Sequence, residues 1–183
     1  MSLVVIIDHN DSFTENLARY VRLKGKVCEV IPFYDLPRTV DATHLIFSPG
    51  PKSPLDYPKT RKFFQTHLGQ MPMLGVCLGH QLIGIEFGLK IVQAKSMLHG
   101  HQAIINTKNN LIFSGIESPM LVACYNSLVL SGLSADLEVI ATNKDKEIMA
   151  LQHKHYKVFG VQFHPEAILT VHGFKIISNF LEL

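Results

Sequence analysis

The stretch Pro72-Met73-Leu74-Gly75-Val76-Cys77-Leu78-Gly79-His80-Gln81-Leu82-Ile83-Gly84 decides how this chain reads. Met73–Val76 is an apolar run of strand length, and the residues after Gly79 have helical spacing. The Gly-x-Cys-x-Gly turn between them has the layout of a nucleophile elbow, a sharp strand-to-helix corner at which flanking glycines give the backbone room. Cys77 then stands at a helix N-terminus, where free amides and the helix dipole favour a negative charge and hence the nucleophilic thiolate. The Leu78 amide, first after the candidate nucleophile, is the natural oxyanion donor. An inert buried thiol is the commoner fate of a cysteine; glycines on both sides weigh against it here.

Upstream, residues 3–7 form an aliphatic run ending at Asp8, as expected of an interior parallel strand buried on both faces. Ser12-Phe13-Thr14-Glu15 reads as a capping box opening a helix that carries Leu17, Tyr20 and Val21 and stops near Gly25. Residues 27–31 and 44–47 read as further strands. The second of these breaks into Ser48-Pro49-Gly50-Pro51-Lys52-Ser53-Pro54, a stiff loop that allows neither helix nor sheet. A helix over 59–68 leads back to the elbow strand, and the elbow helix is expected to end near Gly88. Short strand-like runs follow at 90–93, 101–107, 120–125, 137–142, 147–152 and 158–163, with a closing helix over 172–181. Strands alternating with helices predict an α/β fold: a doubly wound, mostly parallel central sheet with flanking helices and added short antiparallel strands. Ligands sit at the C-terminal strand ends of such sheets, where both the Gly50 loop and Cys77 fall.

Composition bounds the function. With 183 residues, 47% hydrophobic and 17% charged, the chain is expected to be one globular domain over 1–183. A net charge of +2 gives no case for nucleic acid or an anionic membrane. Cys28, Cys77 and Cys124 are widely spaced and odd in number, which argues against a disulfide framework and suits a reducing compartment. The start lacks signal-peptide features and no apolar run reaches spanning length, so a soluble cytoplasmic protein is expected.

A thiolate nucleophile needs a base that can also protonate a leaving group. His164, in Gly160-Val161-Gln162-Phe163-His164-Pro165-Glu166, is the best of ten histidines. An apolar strand runs into it, and in extended chain Glu166 projects to the same side, able to orient the imidazole toward Cys77. His99/His101 and His153/His155 invite a metal reading, but two ligands are too few for a closed zinc site. Neither a metal nor a cofactor is expected. Cys28 and Cys124 read as core residues, and Arg22, Lys24 and Lys26 as a solvated helix end.

Together, residues 72–81, 161–166 and 48–54 resemble the class I (triad) glutamine amidotransferases. Ile7-Asp8 with Asp11-Ser12-Phe13-Thr14, and Glu166-Ala167-Ile168-Leu169-Thr170, are most similar to the glutaminase component of anthranilate synthase and aminodeoxychorismate synthase. The resemblance implies that Cys77 attacks the side-chain amide of L-glutamine and that His164 and Glu166 complete the triad. It further implies an oxyanion held by the Leu78 and Gly50 amides, and substrate contacts from Gln81, the Gly50-Pro51-Lys52 loop and Ser127-Leu128. Ammonia would pass to a separate chorismate-using synthase. Met97-Leu98-His99-Gly100 matches a family loop beside the active site. Two stretches depart from the family pattern: Lys52 replaces a glycine, and Cys124-Tyr125-Asn126 replaces Arg-Tyr-His. If position 52 needs positive φ, lysine there is strained. Alternatives are a glutaminase serving another acceptor synthetase, a non-catalytic interaction subunit, and a cysteine hydrolase or redox-sensing thiol on a related sheet. The last leaves Gln81 and Ser127 without a purpose.

Overall fold

The computed structural model describes residues 2–183, and side chains outside 96–101. The His99/His101 pair and the Met97 to Gly100 loop therefore fall outside the described side chains. In chain order the elements are β1 (Leu3–Asp8), α1 (Thr14–Leu23), β2 (Val27–Pro32), β3 (His44–Phe47), α2 (Pro58–His67), β4 (Met73–Val76), α3 (Leu78–Glu86), β5 (Lys90–Thr107), β6 (Met120–Ser131), β7 (Leu137–Asn143), β8 (Ile148–His153), β9 (Val158–Val161) and α4 (Gly173–Leu181). The nine strands lie in one sheet, ordered β2-β1-β3-β4-β9-β8-β7-β5-β6. Neighbours from β2 to β9 pair in parallel; from β9 onward every pairing is antiparallel.

Burial follows from this order. β3, β4 and β9 are buried at every position, as unbroken apolar runs covered on both faces must be. On one face, Val4, Ile6, Ile46, Leu74 and Val76 pack against Leu17 and Val21 of α1 and Ile176, Ile177 and Phe180 of α4. On the other, Val5, Ile7, Leu45, Phe47 and Met73 pack against Phe63 and Phe64 of α2 and Leu82 and Ile83 of α3. The sheet is thus doubly wound around its parallel half, as expected, and the antiparallel half extends it.

Several local expectations are corrected. Ser12 does not cap α1: the N-cap is Phe13, which makes no side-chain cap bond. Asp8 and Asp11 organise the turn instead, Asp8 Oδ1 accepting from the Asn10 amide and the Thr14 hydroxyl, and Asp11 Oδ1 from the Phe13 amide at 2.8 Å. The runs at 90–93 and 101–107 are ends of one strand, β5, whose pairing with β6 contains register shifts. Its partner runs on to Ser131, because a long antiparallel ladder satisfies backbone groups that two short strands would leave open. β9 stops at Val161, short of the expected 163, and the chain then turns.

α3 lies close to β6. A Cβ added to Gly84 would sit 2.3 Å from Leu130 Cδ1, and Leu130 is itself buried. Gly84→Ala is expected to lower unfolding free energy by about 1–3 kcal/mol through overpacking. Urea denaturation checks it, and an unchanged midpoint would show that the two elements can part at no cost.

Candidate active site

Cys77 is the N-cap of α3, with φ 51° and ψ −98°, a left-handed conformation that side chains seldom adopt. Its amide donates to the Val161 carbonyl at 2.8 Å and its carbonyl accepts from the Gln81 amide at 3.0 Å, so strand β9 and the first helical turn hold it from both sides. The two glycines serve contact rather than torsion. A Cβ on Gly75 would lie 2.3 Å from Gly79 O, and one on Gly79 would lie 2.3 Å from Phe47 O. The corner is tight enough that strand and helix backbones touch. Sγ stands over the free amides and positive dipole end of α3.

His164 and Glu166 meet in the turn after β9, not along an extended strand. His164 Nδ1 lies 2.6 Å from Glu166 Oε1, with both side chains buried, and the Ala167 amide closes the turn on His164 O at 3.3 Å. Nε2, left over, is buried without a bond of hydrogen-bond geometry. The ring nonetheless feels Cys77, which helps raise its pKa, and catalytic pairs commonly close to bonding distance only when substrate is bound. Burial pulls the His164 pKa down, but Cys77 and Glu166 outweigh it and push it up to about 10. The imidazole is thereby held as a proton donor. Phe13 and Tyr125 cover it, with ring centroids at 5.4 and 5.0 Å.

Two residues without a role on sequence grounds support this group. Thr170, buried, donates through its hydroxyl to His164 O at 2.7 Å and accepts from the Ala123 amide at 2.9 Å, while the His164 amide donates to Ala123 O. Gln162, fully buried, directs Nε2 at Cys77 Sγ, 3.6 Å away. Only a buried glutamine two positions before His164 hinted at it.

Cys77 opens into a cavity of about 220 Å³, lined by Gly50, Pro51, Lys52, Leu78, Gln81, Tyr125, Asn126, Ser127 and Leu128. Drug-sized ligands take pockets of about 300–1,000 Å³, so this one suits a smaller molecule. All the expected substrate contacts are brought together here. Four larger clefts also occur; the two of about 450 Å³ lie at Thr107 and Ser118 and at Leu36 and Lys59, and contain none of these groups. The Gly50 loop is built from below. Ser48 Oγ accepts from the His9 amide at 2.9 Å, Tyr57 donates to Pro51 O at 2.9 Å, and a Cβ on Gly50 would lie 2.5 Å from His9 Cβ. Burial lowers the His9 pKa to about 4, so its ring packs there as a neutral prop. Lys52 has φ 66°, so the position does demand the conformation in which lysine is strained. Among the described residues, neither the Gly50 nor the Leu78 amide is taken by a protein acceptor.

The family model for class-I glutamine amidotransferases matches residues 5–183. The chain belongs to this family. Among curated amidotransferase relatives, anthranilate synthase component 2 of Pseudomonas aeruginosa is 38% identical over 191 residues, covering 98% of this chain and 94% of that one. The aminodeoxychorismate/anthranilate synthase component 2 of Bacillus subtilis is 35% identical, covering 98% and 96%. The bifunctional protein TrpGD of Thermotoga maritima is 42% identical, and there the chain spans 32% of the relative's length. A solved glutamine amidotransferase from Thermotoga maritima superposes with TM-score 0.83 at 15% identity, over 99% of this chain and 96% of that one, which speaks to fold.

Elsewhere the amidotransferase departs from the simplest expectations. Cys124 is a core residue, its thiol pushed up to about 12 by burial, but Cys28 on edge strand β2 is only half-buried. His153 is buried, and its Nδ1 accepts from the amides of His155 and Tyr156, making a turn rather than a metal ligand. Arg22 and Lys24 pair with Glu15 and Glu182 at what is, as expected, a solvated helix end. No group of three metal-ligating side chains occurs among the described residues, and no helix there is long and apolar enough to cross a membrane.

Thr170→Val is nearly isosteric yet orphans the Ala123 amide and leaves the His164 carbonyl only its longer bond from the Ala167 amide. It is expected to cost about 1–3 kcal/mol in urea unfolding and to lower kcat; full activity would show that His164 needs no such clamp. The His164 pKa, raised from 6.5 to about 10, has a definite sign in stability. The folded state holds the proton more tightly, so the contribution is complete below about pH 6.5 and is lost as pH rises toward about 10. The stability difference between wild type and Glu166→Gln, measured by urea unfolding across that window, should shrink with rising pH. A constant difference would exclude the linkage.

Proposed function

We propose that the site hydrolyses L-glutamine to glutamate and ammonia through a Cys77-His164-Glu166 triad. The observation that carries this reading is the convergence of a thiol at a helix N-terminus, a buried imidazole held by Glu166 and influenced by Cys77, and a cavity of amino-acid size. Cys77 Sγ attacks the side-chain amide carbon of glutamine held by Gln81, Lys52, Ser127 and Leu128. The tetrahedral oxyanion develops against the amides of Leu78 and Gly50, fixed donors that cost no reorganisation when charge forms. His164 delivers its proton to the departing nitrogen, and C–N cleavage leaves ammonia and a γ-glutamyl thioester on Cys77. Neutral His164 then takes a proton from water as it attacks the thioester, and glutamate leaves with the thiol restored. Glu166 holds the ring in the tautomer both steps need.

Free ammonia becomes ammonium in water and loses its nucleophilicity, so a consumer must be docked. The relatives from Pseudomonas aeruginosa and Bacillus subtilis are each named a component 2, which supports a separate synthase polypeptide as that consumer. We read the acceptor as chorismate, with anthranilate or aminodeoxychorismate as the product of the complex, in the cytoplasm. The joint name of the Bacillus relative supports one subunit serving either synthase.

Cys77→Ala is expected to abolish glutamate release from glutamine, by at least about a thousandfold, while leaving fold and synthase binding intact. The measurement is glutamate formation by the chain alone and with anthranilate or aminodeoxychorismate synthase plus chorismate. Hydrolysis retained by the variant excludes Cys77. No hydrolysis by folded wild type with either synthase would favour the non-catalytic subunit.

A further inference from the structure

Gln162 joins two groups that the glutaminase reading treats separately. Its backbone amide is fixed to Met149 O at 2.9 Å, and its side chain is fully buried between α3 and the turn that carries His164. Nε2 donates to Cys77 Sγ at 3.6 Å, while Oε1 accepts from Gln81 Nε2 at 3.1 Å. Gln81 Nε2 also donates to Leu128 O at 3.0 Å, a carbonyl that Asn126 Nδ2 shares at 3.0 Å.

The direction of this chain of bonds is forced. A main-chain carbonyl only accepts, so Gln81 must turn its amide nitrogen to Leu128 O. That nitrogen then faces Gln162, which must answer with its oxygen, and the Gln162 nitrogen is left for sulfur. With its nitrogen occupied on both sides, Gln81 keeps Oε1 as its free atom; among the described residues nothing donates to it. We infer that Gln162 is a positioning residue with two ends: it holds Sγ through its amide nitrogen, and it locks Gln81 so that an acceptor, not a donor, faces an N–H of the substrate.

The two ends make separable predictions, the Gln81 end resting on the glutaminase reading and the Sγ end independent of it. Gln162→Glu keeps an oxygen for Gln81 but sets a carboxylate against Sγ. Gln162→Met fills the same space and removes both bonds. The probe for the sulfur end is neutral iodoacetamide, its rate of alkylating Cys77 followed against pH in the full chain. Gln162→Glu should move the midpoint upward by about one pH unit and slow alkylation at neutral pH about tenfold. It should leave the KM for glutamine near wild type. Gln162→Met should slow alkylation less and raise KM about tenfold, because Gln81 is free to flip. A merely structural role would lower the melting temperature of both variants without moving the alkylation midpoint. That result, or an unchanged KM in Gln162→Met, overturns the inference. If wild type hydrolyses no glutamine, the glutaminase reading fails while the alkylation profile still decides the sulfur end.

Discussion

Everything in the site depends on one backbone torsion, that of Cys77. A φ of 51° at a residue with a side chain is held against its own preference, and the surroundings must over-determine it. They do so by contact: Gly75 against Gly79, Gly79 against the Phe47 carbonyl, and the Cys77 amide on Val161. Each contact belongs to a different neighbour in the sheet order β3-β4-β9. The corner is therefore a property of three adjacent parallel strands, and the reactive sulfur is as fixed as the sheet itself.

The antiparallel half of the sheet supplies what the parallel half cannot. β6 gives Asn126, Ser127 and Leu128 to one side of the cavity, and through Ala123 it anchors the backbone of His164. Thr170 ties that same pair of backbones from the far end of the loop. Parallel strands thus place Cys77 and the Gly50 loop, while β6 fixes His164 beyond the end of β9 and lines one wall of the cavity. The cavity is the seam between them.

What was legible in the sequence was local. Gly75, Cys77 and Gly79 announce a corner whatever the rest of the chain does, and the apolar run Met73–Val76 can be only a covered strand. His164 and Glu166 were legible as a pair two residues apart, although a turn rather than a strand brings them together, because either conformation permits that contact. Ser12 misled because a capping box is a pattern of side chains, and here the N-cap falls one residue later, at Phe13, after a turn organised by Asp8 and Asp11. Gln162 and Thr170 were illegible as functional because their bonds reach segments 85 and 47 residues away, set by strand order and not by spacing. Lys52 showed its oddity by residue type, and its torsion gave the oddity a cause.

The distances along the chain carry a consequence for how the protein comes into being. Sγ meets an amide 85 positions away, Gln81 bonds a carbonyl 47 away, and the ring of His9 braces a serine 39 away. Contacts of such separation close late, since the entropy of joining distant segments must be met before they reward it. A nascent or partly opened chain therefore carries Cys77 as an ordinary thiol, unaccompanied and chemically dull. Under the proposed mechanism, reactivity arrives together with the completed topology, so the sulfur itself reports that folding is finished.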